Sequence, residues 1–370
     1  MIPVFEPVIC EQDIENIVDA LRRGEISGTF GKYLEEFEAR FANYCGCRFG
    51  VATTSGTTAL QLAVAAAGIG SGAEVLVSAS TNIATALAAV HNGAVPVPVD
   101  SESETWNLDL DLIESLISPR TKAIIPVHLF GHPVDMDRLM EIARRHRLIV
   151  IEDCAESHGA TCRGRKTGSF GDMGCFSFYA NKVITTGEGG MVITNDEKLA
   201  ARLRLLRNLG FGKPRFRHEV AGFNFRMTGY QAAMGLAQLS RIEEIISEKR
   251  RVAASYSKNL ASVPGLGLPV EKQWARNVYW MYAMTVDADA FGRSRDELAS
   301  ALYDQGIETR TFFCPMNQQP CLQALSGFRQ IPCPVADRLW TTGIYLPSTY
   351  TLSDADIARI CEAIAALARN

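Results

Sequence analysis

From Phe49 to Thr194 the chain alternates short β-branched runs with stretches of helical spacing, and this alternation limits the fold more than any other feature. Phe49–Thr54, Glu74–Ser78, Val95–Val99, Lys122–His128, Leu148–Asp153, Cys175–Tyr179 and Gly190–Thr194 read as strands. Helices are expected over Thr57–Ala67, Ile83–His91 and about Asp135–His146. Strands with little polar alternation are buried on both faces, and helical crossovers join parallel neighbours. The prediction is an α/β domain around a mostly parallel sheet.

Beyond Thr194 the pattern changes. Asp196–Leu209 reads as a helix, residues 211–228 as a loop rich in Phe, Arg and Gly, and Tyr230 to about Leu260 as one long helix. A strand near Tyr279–Val286, a helix at Ser294–Gln305, a loop from Phe312 to Pro320 and a helix at Ser353–Ala368 complete a smaller α+β unit. We place a large domain at residues 1–249 and a small one at 250–370, with the boundary inside the long helix. The 370 residues suit one large and one small domain, and 47% apolar residues supply a core.

Net charge is −4, which offers no electrostatic footprint for nucleic acid or an anionic membrane. Local cationic clusters such as Lys249-Arg250-Arg251 are read as solvated helix faces. The longest small-apolar run, Ala59 to Ile69, is too short to cross a bilayer. No basic segment followed by an apolar run opens the chain, so no secretory signal is expected. The ten cysteines form no CxxC pair, and Cys45-x-Cys47 alone is a poor zinc signature, so no metal site is expected. Reduced thiols in the cytoplasm follow as the expectation.

Three segments carry chemistry. Thr54-Ser55-Gly56-Thr57-Thr58 joins a strand to a helix, where free backbone N–H groups and the helix dipole attract an anion. An ordinary N-cap accounts for the same residues. Asp153 ends a buried strand, where ligands bind in such sheets. Its carboxylate can pair with a protonated ring nitrogen, or it can simply cap the next turn. Lys182 follows a short strand and precedes the glycine-rich Thr186–Gly190. Lysine forms Schiff bases with a pyridoxal aldehyde, although an isolated lysine beside a turn is more often a surface residue. Together the three supply complementary roles, in order, within one domain. A nicotinamide-binding reading fails because Gly68-Ile69-Gly70-Ser71-Gly72 ends a helix and precedes a strand, the reverse of the dinucleotide fingerprint.

The segments TSGTTAL, IEDCAESHGA, GSFGDMGCFSFYANKVITTGEGGMVITND and GFNFRMTGYQAAMGLAQL resemble the DegT/DnrJ/EryC1/StrS sugar aminotransferases, and the resemblance runs from about Pro3 to the last helix. It implies a fold-type I aminotransferase that uses pyridoxal 5′-phosphate and works as a homodimer with shared active sites. It implies glutamate as amino donor and a nucleotide-linked keto-sugar as acceptor, first a GDP-linked 4-keto-6-deoxy-hexose, next a dTDP- or UDP-sugar.

Carried over residue by residue, Lys182 is the Schiff-base lysine and Asp153 the partner of the pyridine nitrogen. Glu156 contacts the ring hydroxyl, where much of the family has Gln. Ser55, Gly56, Thr57 and Ser177 belong to the phosphate site, and Asn224 reaches that site across the dimer interface. The resemblance departs at Asn82, which stands where the family stacks an aromatic residue on the cofactor ring, and at Asn317, where many relatives carry His. His158 matches the family and suits a buried structural role equally well. Arg226, Arg310 and Lys213 are candidates for the nucleotide diphosphate by type and position. Relatives that act as dehydratases carry His in place of the lysine, so Lys182 argues against that reaction. A non-catalytic regulator on the same fold is the alternative outside enzymology, and the Lys182/Asp153 pair argues against it.

Overall fold

A computed structural model describes residues 1–214 and 216–369. Seven strands form the central sheet: β1 (Phe49–Thr53), β2 (Glu74–Ser78), β3 (Val95–Val99), β4 (Thr121–Ile125), β5 (Ile149–Asp153), β6 (Met173–Ser177) and β7 (Gly190–Thr194). Their order across the sheet is β1-β7-β6-β5-β4-β2-β3. Pairing is parallel from β3 to β6, and β7 runs against both of its neighbours. The α/β prediction is met, with a mostly parallel sheet.

Local chemistry sets the element ends. The fourth strand stops at Ile125 rather than His128, because Pro126 has no N–H to continue the ladder. The sixth begins at Met173 and releases the chain after Ser177, two residues earlier than expected. Phe178 then turns inward on a hydrogen bond to Gly189 O (2.8 Å), which opens the segment that carries Lys182. The expected long helix is two helices, Gly229–Ser240 and Ile242–Leu260, broken at Arg241 (φ −118°, ψ 16°). Arg241 leaves the helical path where its guanidinium donates to buried Asp13 (2.5 Å) and to the Tyr350 hydroxyl (3.0 Å).

Helices cover both faces of the sheet. Gly56–Ala66 packs on one face among Leu60, Leu62, Val75, Val77 and Ile151. Met136–His146 packs on the other with Leu76, Val97, Ile124 and Val150. A second, antiparallel sheet is built from Leu266–Gly267, Tyr282–Val286, Gly343–Leu346 and Arg310–Thr311, in that spatial order. Ile242–Leu260, Arg295–Asp304 and Asp354–Leu367 share its core. The N-terminal segment joins this sheet's surroundings: Ile2 bridges Ile307, and Val4 N donates to Glu308 Oε2 (3.0 Å).

The reading of Lys249 as solvated is corrected. It is 2% exposed, on the face of its helix that packs against the second sheet. Arg250 and Arg251 stay at the surface in ion pairs with Glu271 and Glu248. Among the described residues no helix is long and apolar enough to cross a membrane.

Candidate active site

An open cleft of about 310 Å³ lies at the carboxyl ends of the central strands. That is where a parallel sheet leaves its loops free to bind. At one end, Ser55 caps the helix Gly56–Ala66 by accepting from Thr58 N (3.1 Å). The cap engages the amide of Thr58 and not those of Gly56 and Thr57, which lie outside the i→i−4 ladder. Gly56 and Thr57 line the cleft beside Ser177. A Cβ on Gly56 would sit 2.6 Å from Ser177 Cβ, so only glycine lets the helix start approach the sixth strand this closely. Gly190 is constrained likewise, since a Cβ there would meet Ser55 O at 2.2 Å. The result is a narrow cradle of backbone amides and a hydroxyl, with the positive end of a helix dipole behind it.

The end of the fifth strand presents two adjacent carboxylates to opposite sides. Glu152 is fully buried and accepts from the amides of Gly168, Phe170 and Gly171, each at 2.7 Å, and pairs with His128 Nε2 at 3.1 Å. His128 Nδ1 accepts from Val134 N (3.1 Å), which leaves Nε2 as the nitrogen that donates toward Glu152. This cluster organises the turn before the sixth strand. Asp153 faces the cleft instead. Its Oδ2 accepts from Thr85 Oγ1 (2.8 Å) and its Oδ1 from Ala155 N (3.1 Å). Burial raises the Asp153 carboxyl above its ordinary range, against the pull of Thr85, Ala155 and the Lys182 charge. A cationic N–H donor in the cleft would restore its ionised form.

Lys182 and Glu156 share this cleft. Burial lowers the Lys182 ammonium, while the charges of Glu156 and Asp153 oppose that shift. Burial pushes Glu156 up to about 7, opposed by Lys182 and by the Phe130 amide, which donates to Glu156 Oε2 at 2.7 Å. Phe130 holds a left-handed backbone (φ 51°), a strained conformation for a bulky side chain that aims this amide. An amine that releases its proton readily, a buried carboxyl and an anion cradle on one cleft suit a flat, anionic carbonyl compound with a ring nitrogen.

Trp280, Phe313 and Tyr345 form the facing wall, and sequence reasoning missed all three. Trp280 places its ring under Lys182 Nζ, 3.9 Å from the centroid, and its indole N–H donates to Asn181 O (2.6 Å). Phe130 packs against all three, with ring centroids 5.8 to 6.2 Å away. In the sequence Trp280 falls in the strand expected near Tyr279–Val286 and Tyr345 in a stretch given no element, and no spacing brings either to Lys182.

Eight predicted residues line the cleft together: Ser55, Gly56, Thr57, Asn82, Asp153, Glu156, Ser177 and Lys182. Asn82 is exposed there, and its Oδ1 accepts from Ala84 N (3.0 Å) at the start of the next helix. Asn224 lies elsewhere, exposed and bridged to Asn208. His158 is buried against Phe41, Phe176 and Phe178, and burial pulls its imidazole down to about 3, so it stays neutral. Arg226 donates to Asn208 Oδ1 (2.8 Å) and Arg310 pairs with Glu308 (2.5 Å). Neither these arginines nor Lys213 lines the cleft of the single chain. Asn317 is buried and donates to Asp337 Oδ1 (3.3 Å).

Residues 7–365 match the sequence profile of the DegT/DnrJ/EryC1/StrS aminotransferase family. The chain is 46% identical over 339 residues to GDP-perosamine synthase of Caulobacter vibrioides, covering 90% of each chain. S. venezuelae DesV, solved in complex with a ketimine intermediate, superposes with a TM-score of 0.89 at 38% identity, over 96% of this chain and 93% of that one. Spr1654 of Streptococcus pneumoniae, solved in a PMP form, superposes with a TM-score of 0.93 at 28% identity over 99% of both chains.

Proposed function

Because the chain belongs to the DegT/DnrJ/EryC1/StrS aminotransferase family, we propose that it transfers an amino group from glutamate to a nucleotide-linked keto-sugar, with pyridoxal 5′-phosphate held in the cleft. The observation that carries this reading is the meeting of Lys182 and Asp153, 29 residues apart in sequence, on one cleft beside the Gly56 cradle. When bound, the cofactor supplies an electron sink next to the reacting carbon.

The chain's own residues divide the remaining work. The first-turn amides of Gly56 and Thr57, with Ser177, hold the phosphate. Asp153 would accept from the ring N–H, a pairing that would keep both partners charged. Glu156 faces the ring hydroxyl. Lys182 anchors the cofactor at rest. With the cofactor bound, the Lys182 Nζ would act as the base that takes the proton from the donor α-carbon and as the acid that gives it back within the cleft. The burial that lowers the Lys182 ammonium favours the free amine this step needs. Asn82 lies on the cleft edge, where either its amide face or another residue would cover the ring.

The acceptor is proposed as a GDP-linked 4-keto-6-deoxy-hexose, on the likeness to the Caulobacter enzyme. The working unit is proposed as a homodimer in which Asn224 completes the partner's phosphate site. Two features support that reading. Asn224 is exposed and outside its own cleft. The segments around it also interlock, with Gly28 against Met227 O and Gly229 against Glu25 O, and they present Ile26, Phe30 and Tyr230 to solvent. An apolar surface of this kind favours burial by a second chain.

An absorbance titration tests the core of the proposal. Wild type with pyridoxal phosphate should develop the long-wavelength band of lysine-bound cofactor, and glutamate should bleach it. Lys182→Ala should show neither change. A wild type that takes up no cofactor would overturn the proposal and favour a non-catalytic role.

A further inference from the structure

Lys249 sits in the middle of the helix Ile242–Leu260, at 2% exposure, and among the described residues no carboxylate pairs with it. A buried lysine without a counter-ion is costly unless its nitrogen has other partners. Here it has two, the carbonyls of Trp280 (3.0 Å) and Ser348 (2.9 Å). A neutral amine has two N–H donors, enough for both carbonyls, so the contacts survive loss of the charge. Burial alone pulls the Lys249 ammonium down to about 7.

Those carbonyls belong to two of the three segments that build the cleft's far wall. Trp280 is itself a wall residue, and Ser348 follows Tyr345 by three positions. The polar groups of Trp280 are all engaged: its N–H donates to Phe130 O (3.0 Å), its carbonyl accepts from Lys249, and its indole N–H donates to Asn181 O (2.6 Å). The ring so fixed lies 3.9 Å from Lys182 Nζ. An aromatic face at that distance stabilises a cation. Asp153, Glu156 and His158 are the titratable groups that also face the Lys182 amine.

We propose that Lys249 is a positioning residue for the reacting amine: it clamps the backbones of Trp280 and Ser348 and thereby holds the indole face under Lys182 Nζ. The indole gives the amine a fixed resting place when it is not bonded to cofactor. The proposal rests on Lys182 being the reacting amine, but its geometry belongs to the protein alone and is testable without cofactor.

The test is competitive acetylation of the apoprotein across pH, with Lys182 labelling read by peptide mass spectrometry. Wild type, Lys249→Met, Trp280→Leu and the double variant are compared, with circular dichroism to verify folding. Loss of the clamp should move the Lys182 midpoint to lower pH by about half to one pH unit, the scale of a desolvated cation–π contact. Trp280→Leu should match it, and the double variant should add nothing, because both changes remove one contact. Lys249→Gln keeps two N–H donors and should recover part of the shift. If Lys249→Met does not fold, Lys249→Gln and Trp280→Leu carry the comparison. A Lys182 midpoint that stays put in folded variants overturns the proposal. So does an upward move, which would mean direct charge repulsion between the lysines, or a fully additive double variant. Absence of cofactor binding in the wild type would refute the proposed function and leave this result standing.

Discussion

The sheet-side wall of the cleft and the aromatic wall opposite hold their residues by different means. Gly56, Asp153 and Ser177 sit on strand ends or a helix start whose backbones are fixed by ladder hydrogen bonds. On the aromatic side only Tyr345 stands on a strand; Trp280 and Phe313 lie on segments between elements, and side-chain ties such as Lys249 to Trp280 O hold them there. Sites built on rigid elements keep tighter geometry than sites assembled from loops. In the proposed reaction the sheet side would carry the phosphate and ring-nitrogen contacts, and the aromatic side would shape the cleft around Lys182.

The strongest way to break that division is Asp153→Asn. The amide oxygen can still accept from Thr85 or Ala155, so the melting temperature should change little. The turnover of the glutamate half-reaction should fall by about 10²–10³-fold, the usual cost of removing one fixed electrostatic partner. Single-turnover kinetics and a thermal melt measure the two. If Phe313→Ala on the opposite wall lowers the same rate constant as much, the walls are not distinct in function.

Gly56→Ala tests the cradle. A Cβ placed 2.6 Å from Ser177 Cβ forces the helix start and the sixth strand apart. Overpacking of this kind costs about 1–3 kcal/mol. Cofactor affinity should weaken by roughly ten- to a hundredfold, since about 1.4 kcal/mol is tenfold in binding. Equilibrium titration of the apoprotein reads it. An unchanged affinity would remove the cradle from the phosphate site.

The same division decides what was legible in the sequence. The mostly parallel sheet could be read because apolar runs mark strands, and Asp153 and the Ser55-Gly56-Thr57 turn because strand ends and helix starts gather ligands, whereas Asn82, Glu156 and Ser177 came from the family resemblance alone. Trp280 and Tyr345 could not. Each lies far along the chain from Lys182, and contacts between distant segments leave no periodicity. Lys249 misled for a related reason. A Lys-Arg-Arg run has the composition of a solvated face, yet the helix turns Lys249 inward to two carbonyls while its neighbours pair outside. The break at Arg241 was hidden too, because it depends on Asp13, which lies 228 residues earlier.

Glu156→Gln sharpens the comparison through pH. The folded Glu156 carboxyl titrates at about 7, above its ordinary value of 4.5, so the folded state binds the proton more tightly than the unfolded one. Stability from this residue is therefore full below pH 4.5 and is lost as pH rises to about 7. Glutamine has no such proton. Denaturant melts at pH 4.5, 6 and 8 should show the wild type losing about 1–3 kcal/mol relative to the variant over that range. Parallel curves would mean that Glu156 is ionised on folding and that the Phe130 amide outweighs its burial.

The smallest expected effect comes from Asn82→Phe, which places an aromatic ring at the cleft edge. The change removes the Asn82 contact to Ala84 N and should cost about 0.5–1 kcal/mol of stability, as for other lost helix caps. An aromatic stack contributes about 0.5–1.5 kcal/mol, so cofactor affinity should tighten by roughly two- to tenfold. Fluorescence titration of the apoprotein gives the affinity and a melt gives the cost. If the affinity tightens, the sheet side of the native cleft lacks a ring contact, and Asn82 leaves that space to the substrate. If it does not, the cradle and Asp153 already fix the cofactor plane, and the aromatic wall of Trp280, Phe313 and Tyr345 is the surface on which ring contacts matter.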